Sequence, residues 1–295
     1  MTAQARETAE TERRTEREVR LGARRSPDRA FAVGLARAFG GAVFFSLPLL
    51  MTMEMWSLGI SMSRFRLALF MLLMIPLLIA LDHYSGFRET STWREDAVDA
   101  MVAYGVGFAA SFGILVLFGV LEAGTPLREA VGMVALQAVP ASFGAVLAVS
   151  QLGGGGAREE ARMEETGYGG ELLFMTAGAV FMAFNVAPTE EMIVIAFKMT
   201  DGHVLFLVGV SILLMHAFVY AVEFRGTPAA PEGASPWSLF FRFTLVGYAI
   251  ALAVSAYVLW TFGRYEEASL GLRVAEAVVL GFPASLGAAA ARLIL

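Results

Sequence analysis

Two adjacent carboxylates, Glu190 and Glu191, lie inside an apolar stretch from Gly178 to Met192 that reads GAVFMAFNVAPTEEM. A similar stretch from Gly41 to Met55 reads GAVFFSLPLLMTMEM and carries Glu54 at the position of Glu191. Seven of the fifteen positions are identical without a gap. An acidic side chain in a membrane-spanning segment is costly and is by default a functional hypothesis. The recurrence of the acid in both stretches strengthens that hypothesis.

A proline precedes the last acid in each stretch. Pro48 and Pro188 have no backbone N–H, so each leaves a carbonyl of the preceding turn without its helical partner. Broken helices at membrane depth line cavities, where freed carbonyls and carboxylates can bind ions. Oxygen ligands suit hard cations, and carboxylates also carry protons. The sequence therefore predicts an ion-binding site made of Glu54, Glu190, Glu191, Thr52, Thr189 and Asn185, with helix breaks at Pro48 and Pro188.

Glu54 and Glu191 are equivalent in the two stretches, so we expect them to form the centre of a cation or proton site, with Glu190 as an additional carboxylate. At ~1.5 Å per residue, Glu54 lies ~8 Å outward of the midpoint of its predicted span. Two alternatives stay open. The acids could be structural groups, protonated or paired with an arginine or backbone donors, that tie two halves of the protein together. The spans could also end earlier, which would place the acids at the outer surface of the bilayer.

Other polar side chains have simpler interpretations. His216 could relay protons to the acids, but a single histidine in a helix bundle is more often just hydrogen-bonded. Asp82 with His83, and Asp96 with Asp99, are expected at the cytoplasmic edge of the bundle. A solvated rim is favoured there over a functional vestibule.

A soft-metal site is considered for the methionines around Glu54, because thioethers favour monovalent copper. Of Met51, Met53 and Met55, only Met55 has a methionine, Met192, at the equivalent position. Methionine is also an ordinary filler of hydrophobic cores, so copper is disfavoured. The chain has no cysteine, and it lacks P-loop, nucleophile-elbow and zinc-protease motifs. We therefore expect no enzyme activity and no cofactor.

The composition indicates a membrane protein: 57% of the residues are hydrophobic, 17% are charged, and the mean hydropathy is +0.64. Apolar runs of about 20 residues, enough to cross a hydrocarbon core about 30 Å thick, recur along the chain. We predict an all-α polytopic membrane protein with eight transmembrane helices. The expected spans are Phe31–Ile60, Phe65–His83, Ala97–Leu121, Leu127–Gln151, Glu171–Phe197, His203–Phe224, Trp237–Phe262 and Leu270–Leu293. An even number of spans and the distribution of arginines place both termini in the cytoplasm.

The similarity between the two stretches extends over the two halves of the chain. A spacing of 137 residues (191 minus 54) also relates Phe87-Arg88 and Thr90 to Phe224-Arg225 and Thr227. A spacing of 144 matches Trp93, Ser111, Leu115, Phe118, Gly119 and Glu122 with Trp237, Ser255, Leu259, Phe262, Gly263 and Glu266. A spacing of 143 matches PASFGA, from Pro140, with PASLGA, from Pro283.

This similarity predicts two parallel four-helix repeats related by a pseudo-twofold axis along the membrane normal. The expected units are a polar cytoplasmic tail (1–30), the first repeat (31–151), a Gly/Glu-rich cytoplasmic linker (152–170) and the second repeat (171–293).

Two motifs carry a resemblance to a known family. They are ARAFGGAVFFSLPLLMTMEMWSLG, from Ala36 to Gly59, and HYSGFRET, from His83 to Thr90. From about Ala36 onward the chain resembles a family of bacterial integral membrane proteins of unknown function. The resemblance implies an integral membrane protein and no particular activity.

The function favoured by the sequence is a cation, or proton-coupled cation, channel or transporter with a carboxylate site between the repeats. The alternative is a non-transport membrane subunit for assembly, anchoring or sensing, in which the acids are structural. The expected location is the bacterial inner membrane. The expected partners are the lipid bilayer and a hard cation or proton, with no nucleic acid, and a homo-oligomer is left open.

Overall fold

The computed structural model describes residues 27–85, 93–152, 167–220, 236–266 and 268–294. Within these ranges the chain forms helices and turns and no strand. The helices are α1 (Pro27–Leu50), α2 (Met53–Ser61), α3 (Arg64–Ser85), α4 (Trp93–Leu117), α5 (Leu127–Leu152), α6 (Tyr168–Val186), α7 (Glu190–Lys198), α8 (Asp201–Tyr220), α9 (Pro236–Leu239), α10 (Val246–Thr261) and α11 (Leu270–Ile294). A π-helical segment, Phe240–Leu245, joins α9 to α10.

Eight helical segments in the described ranges are long and apolar enough to cross a membrane, which confirms the predicted all-α fold with eight spans. They are 18 to 25 residues long, close to the ~20 residues that a hydrocarbon core requires. The segments are Phe31–Leu50, Arg64–Tyr84, Trp93–Leu117, Leu127–Ala148, Tyr168–Val186, Asp201–Phe218, Trp237–Thr261 and Leu270–Arg292.

The first and fifth predicted spans, Phe31–Ile60 and Glu171–Phe197, are wrong as continuous helices. In the first half α1 ends at Leu50 and α2 begins at Met53; in the second half α6 ends at Val186 and α7 begins at Glu190. The residue before each short helix has an extended backbone. An extended residue cannot continue the ladder of i to i−4 hydrogen bonds, so each helix is interrupted at this point.

Each half is built around its last long helix. In the first half α5 packs against α1, α2, α3 and α4, and in the second half α11 packs against α6, α7, α8 and α10. Two equivalent glycine pairs bring the helix backbones into close contact. A Cβ at Gly41 would overlap the carbonyl oxygen of Gly144, and a Cβ at Gly178 would overlap that of Gly287. Small residues permit such close approach of helix backbones in a membrane.

The same turn also follows α4 and α10. Gly119 and Gly263, which the 144-residue spacing matches, have φ angles of 70° and 77°. Only glycine adopts this left-handed conformation without steric cost. Local geometry thus agrees between the halves at the helix breaks, the glycine contacts and these turns.

The two halves contact each other mainly through helices that do not correspond, although the Phe45 ring on α1 and the Phe181 ring on α6, which are equivalent helices, lie edge-on with centroids 5.5 Å apart. The helices α3 and α5 of the first half pack on α6, and α3 also packs on α10. The Phe70 ring on α3 lies edge-on to the Phe184 ring on α6, with centroids 4.9 Å apart. Beside it, Arg66 Nη1 and Glu266 Oε1 form a salt bridge of 2.7 Å across the same contact. These contacts do not confirm a pseudo-twofold axis, and the division into repeats stays a prediction.

Several sequence-based predictions fall outside the described residues. They are the polar tail up to residue 26, most of the linker (153–166), and the matches of Phe87-Arg88 and Thr90 with Phe224-Arg225 and Thr227.

Candidate functional site at the two helix breaks

The two helix breaks have the same local hydrogen bonding. The Thr52 hydroxyl donates to the carbonyl oxygen of Leu49 at 2.8 Å, and the Thr189 hydroxyl donates to the carbonyl oxygen of Val186 at 2.8 Å. Each threonine thus satisfies a carbonyl at the end of the preceding helix. The short helices that follow begin with acidic first turns.

The three acids lie at helix N-termini, where their negative charge is stabilised. Glu54 lies in the first turn of α2, and Glu190 and Glu191 lie in the first turn of α7. Carboxylates are stabilised at a helix N-terminus by the unpaired N–H groups and the helix dipole. Glu54 is half-buried, whereas Glu190 and Glu191 are exposed. All three lie beyond the last residue of an apolar spanning helix, as the alternative of earlier-ending spans describes.

Arg264 lies within electrostatic reach of acids from both halves. Arg264, in the loop after α10, donates a hydrogen bond from Nη2 to the carbonyl oxygen of Pro188 inside the second break. Burial lowers the pKa of Arg264, and the charges of Glu190, Glu276 and Glu54 oppose that change. Carboxylates from both halves therefore act on one guanidinium. We call Arg264, Glu54, Glu190 and Glu276 the Arg264 cluster.

Glu276 is the most enclosed member of this cluster. It lies in the second turn of α11, within the span Leu270–Arg292, and only 1% of it is exposed. Its Oε2 atom has no hydrogen-bond partner in the described part of the chain. Nearby, burial and the charge of Glu276 raise the pKa of Tyr265 to about 12, against the opposing charge of Arg273. Glu276 is thus a buried acid that keeps an oxygen available for a proton or cation.

Sequence reasoning missed both Arg264 and Glu276. Glu276 could have been found, since an acid inside an apolar span is itself a functional signal. The equivalent position in the first half, at the 143-residue spacing, is Met133. Arg264 gives a weaker signal, because a loop arginine is ordinary; only its equivalent, Val120, shows that the second half differs there.

The remaining predicted ligands lie around the second break but have other roles in the structure. Asn185 Nδ2 donates to the carbonyl oxygen of Phe181, one turn earlier in α6. Glu191 is exposed and is not among the acids whose charge acts on Arg264. In the described ranges, no three acidic or histidine side chains come close enough together to hold a metal ion.

The predicted prolines differ in their relation to the breaks. Pro188 lies inside the second break, between α6 and α7, and is buried. Pro48 lies within α1, and the chain leaves the helix only at Met51 and Thr52. Met51 and Met53 are exposed while Met55 is buried, so these methionines do not form one site.

His216 lies far from the breaks. It is fifteen residues (216 minus 201) after the first residue of α8, or ~22 Å along the helix at ~1.5 Å per residue. Its Nδ1 atom is 2.8 Å from Thr244 Oγ1, and its ring lies edge-on to Phe240. A role as proton relay remains a prediction, and the ring is hydrogen-bonded as the simpler interpretation expected.

A second acidic group lies at the opposite end of the first half. Asp82, Asp96 and Asp99 are 5% exposed or less, so the expected solvated rim is wrong at this point. His83 Nδ1 is 2.7 Å from Asp96 Oδ2, and its ring stacks on Trp93 with centroids 4.1 Å apart. The aspartates are buried because α3 and α4 pack together there.

These features define a polytopic helical membrane protein with interrupted helices and a charged cluster at the breaks. Residues 34–295 match a family model, DUF2391, described as "Putative integral membrane protein". The chain belongs to this family, which confirms the resemblance seen from Ala36 onward. No curated protein and no solved structure matches the chain. The family supports membrane location and assigns no activity, so the function has to be argued from the site.

Proposed function

We propose that this protein is a channel or transporter for a cation or proton, in which the Arg264 cluster is the exchange site. The observation that carries the proposal is that acids from both halves act on one partly buried guanidinium. Glu54 comes from the first half, and Glu190 and Glu276 come from the second. Interrupted helices contribute to ion sites in transporters that are built from internal repeats.

Arg264 acts in this proposal as an internal counter-ion. A guanidinium near these carboxylates lowers the cost of keeping them ionised, most of all for the buried Glu276. An arriving cation or proton competes with the guanidinium for the same carboxylates. Arg264 can release the acids without losing every partner, because the carbonyl oxygen of Pro188 still accepts its hydrogen bond. The acids therefore alternate between an internal and a transported positive charge.

The acids also differ in accessibility. Glu190 is exposed, Glu54 is half-buried and Glu276 is buried, with one oxygen lacking a described partner. In the proposal, exposure decreases in the order in which the ion meets these acids. We propose that Glu190 meets the ion first and that Glu276 holds it inside the span. The site predicted from the sequence is instead the equivalent pair Glu54 and Glu191. Glu191 belongs to that predicted site but not to the Arg264 cluster, so a variant at Glu191 distinguishes the two.

The direct test is flux through purified protein in liposomes, with a panel of sodium, potassium, calcium, magnesium and manganese ions and a proton gradient. Glu276→Gln and Glu190→Gln keep the side-chain size but remove the charge. Each should reduce flux by at least about tenfold, which corresponds to a loss of about 1.4 kcal/mol. Glu129→Gln is the matched control, because Glu129 lies in the first turn of α5, at the same end of the bundle, outside the cluster. Equal flux in all variants would refute the transport role of the cluster.

Glu191→Gln distinguishes the two site versions. If the Arg264 cluster is the exchange site, this variant transports nearly as well as the parent. If the equivalent pair Glu54 and Glu191 is central, flux is lost while Glu190→Gln transports normally. Both results would be compatible with transport, but they assign different residues to it.

A non-transport membrane subunit is the second candidate function. It is favoured by the local hydrogen bonds of Thr52, Thr189 and Asn185, which already satisfy carbonyls of the broken helices. In that case the Arg264 cluster ties the halves together. The Gln variants would then show the same ion flux as the parent protein but would unfold more easily.

Orientation and location follow as further parts of the proposal. We place the Arg264 cluster at the outer surface of a bacterial inner membrane, with both termini cytoplasmic, because arginines are more numerous in the expected inner segments. The lipid bilayer is then the permanent partner, and a homo-oligomer is argued below.

A further inference from the structure

The contact between the two halves is head-to-tail. The first half uses α3 and α5, which we call the α3/α5 face, and the second half uses α6 and α10, the α6/α10 face. By the repeat, α8 and α11 correspond to the first face, and α1 and α4 correspond to the second. A twofold relation would also press α8 and α11 against α1 and α4. Among the described helices these pairs make no comparable contact, so in the described ranges one copy of each face is left largely uncovered by the other half.

Side chains on the α1/α4 face are more exposed than their equivalents on the α6/α10 face. Phe184 on α6 is 2% exposed, whereas its equivalent on α1, Leu47, is 36% exposed. Phe262, just after α10, is 5% exposed, whereas its equivalent Phe118 is 42% exposed. Phe184 and Phe262 both pack on Phe70 of the other half. Leu47 and Phe118 therefore lack much of the cover that their equivalents have.

The α8/α11 face shows the complementary difference. Phe143 on α5 and Leu81 on α3 are buried in the first half. Leu286 on α11, the equivalent of Phe143, is only half-buried. The spanning part of α8 is also the least buried of the eight candidate spans. Among the described residues, this face is therefore less covered than the α3/α5 face that binds the second half.

The charged edge of the contact is also repeated. Arg66 and Glu266 pair at 2.7 Å between the halves. The equivalent of Arg66 at the 137-residue spacing is His203, and the equivalent of Glu266 at the 144-residue spacing is Glu122. Both equivalents are exposed. A head-to-tail contact between two chains would place this basic and this acidic side chain together.

We propose that a second copy of this chain covers the open faces, with the α8/α11 face of one copy packed on the α1/α4 face of the next. The contact between copies repeats the one already formed between the α3/α5 and α6/α10 faces. Head-to-tail contacts form closed rings when the rotation between units permits it. The smallest such ring contains two chains and four halves. The other occupant of these apolar faces is lipid, and the experiment separates the two.

Cross-linking tests the contact directly, because the chain contains no cysteine. Full-length chains carrying His203→Cys and Glu122→Cys, with different tags, are co-expressed and treated in native membranes with a short bifunctional thiol reagent. A covalent dimer containing both tags is expected, and each variant alone should give none. Arg66→Cys with Glu266→Cys in one chain is the positive control, since it should cross-link within a monomer.

Two glycine variants test whether the helical faces themselves are buried. A Cβ at Gly40 on α1 or at Gly105 on α4 meets nothing within 4 Å. The equivalent of Gly40 is Ala177, which is buried, and the equivalent of Gly105 is Ala249, which is exposed. Gly40→Leu should therefore lower the yield of mixed dimer about tenfold by overpacking the contact, and Gly105→Leu should leave it unchanged.

Three outcomes would overturn the proposal. The absence of a mixed dimer while the positive control cross-links would assign the faces to lipid. Dimers of Glu122→Cys with itself, without mixed dimers, would mean a twofold contact. Equal yields for Gly40→Leu and Gly105→Leu would place the contact elsewhere on the surface.

Discussion

Removing the guanidinium of Arg264 should destabilise the protein strongly, and the structure allows the effect to be estimated. Arg264→Gln loses the charge-assisted hydrogen bond to the carbonyl oxygen of Pro188, a bond worth about 1.5–3 kcal/mol. It also leaves Glu276, which is 1% exposed, without one of its two compensating cations. Removing one partner of a fully buried pair costs about 3–5 kcal/mol. Because Arg264 is only partly buried and Arg273 remains, we expect a total loss of about 2–4 kcal/mol.

The measurement is the free energy of unfolding in detergent micelles, followed by helical circular dichroism during denaturant titration. Arg128→Gln is the control, because Arg128 is an exposed arginine in the first turn of α5, at the same end of the bundle and outside the Arg264 cluster. An exposed substitution of this kind changes stability by about 0.5 kcal/mol or less. The difference between the free energies of unfolding of the two variants therefore measures how much the burial of Arg264 and its nearby acids contribute to stability.

A double variant tests the link between the arginine and the buried acid. If the charge of Arg264 stabilises Glu276, the combination Arg264→Gln/Glu276→Gln should lose about 1–2 kcal/mol less than the sum of the single losses. Additive losses would show that the two groups act independently. If Arg264→Gln were no less stable than Arg128→Gln, the idea that acids of both halves converge on Arg264 would be refuted.

Two further predictions concern packing and pH. Gly41→Ala should cost about 1–3 kcal/mol of stability, because the new Cβ overlaps Gly144; Gly34→Ala, in open space on the same helix, should be neutral or stabilising by up to about 1 kcal/mol in the same unfolding assay. Equal losses in both variants would contradict the close crossing of α1 and α5. The pKa of Tyr265 is raised from 10.0 to about 12, so its neutral form stabilises the fold below pH 10 and this stability is lost as the pH rises toward 12. A Tyr265→Phe variant should lose less stability than the parent over that interval, as measured by thermal unfolding at each pH; parallel curves would contradict the assignment.

The sequence predicted the position of the breaks only partly, and the reason lies in the local chemistry. Pro48 and Pro188 pointed to interrupted helices, but they are not equivalent positions in the repeat, and Pro48 lies inside α1. Prolines 76, 140 and 283 also lie inside unbroken helices. The equivalent residues Thr52 and Thr189 mark the breaks better, since each has an extended backbone and a hydroxyl bound to the end of the preceding helix.

The composition of the site was less predictable than the spans. Apolar runs determine where helices can cross a membrane, so the number of spans followed from the sequence alone. Which side chains meet at the helix ends depends on how the two halves dock, and no periodicity encodes that. Arg264 reaches Pro188 only because the loop after α10 folds over the second break. The head-to-tail contact was unpredictable for the same reason. The even number of helices in a repeat determines how both repeats are oriented in the membrane, but it does not determine which of their faces pack together.

The helix breaks explain why one place attracts charges of both signs. At the end of α6 the last carbonyls carry partial negative charge, and at the start of α7 the first N–H groups carry partial positive charge. Arg264 binds on the carbonyl side, at Pro188, while Glu190 and Glu191 lie on the N–H side. A continuous helix would have neither a C-terminus nor an N-terminus at this place. Arg264 and the acids could then pair only with each other. The interruption therefore lets an arginine and a carboxylate be stabilised separately and lie near each other, which is the condition for exchanging one positive charge for another.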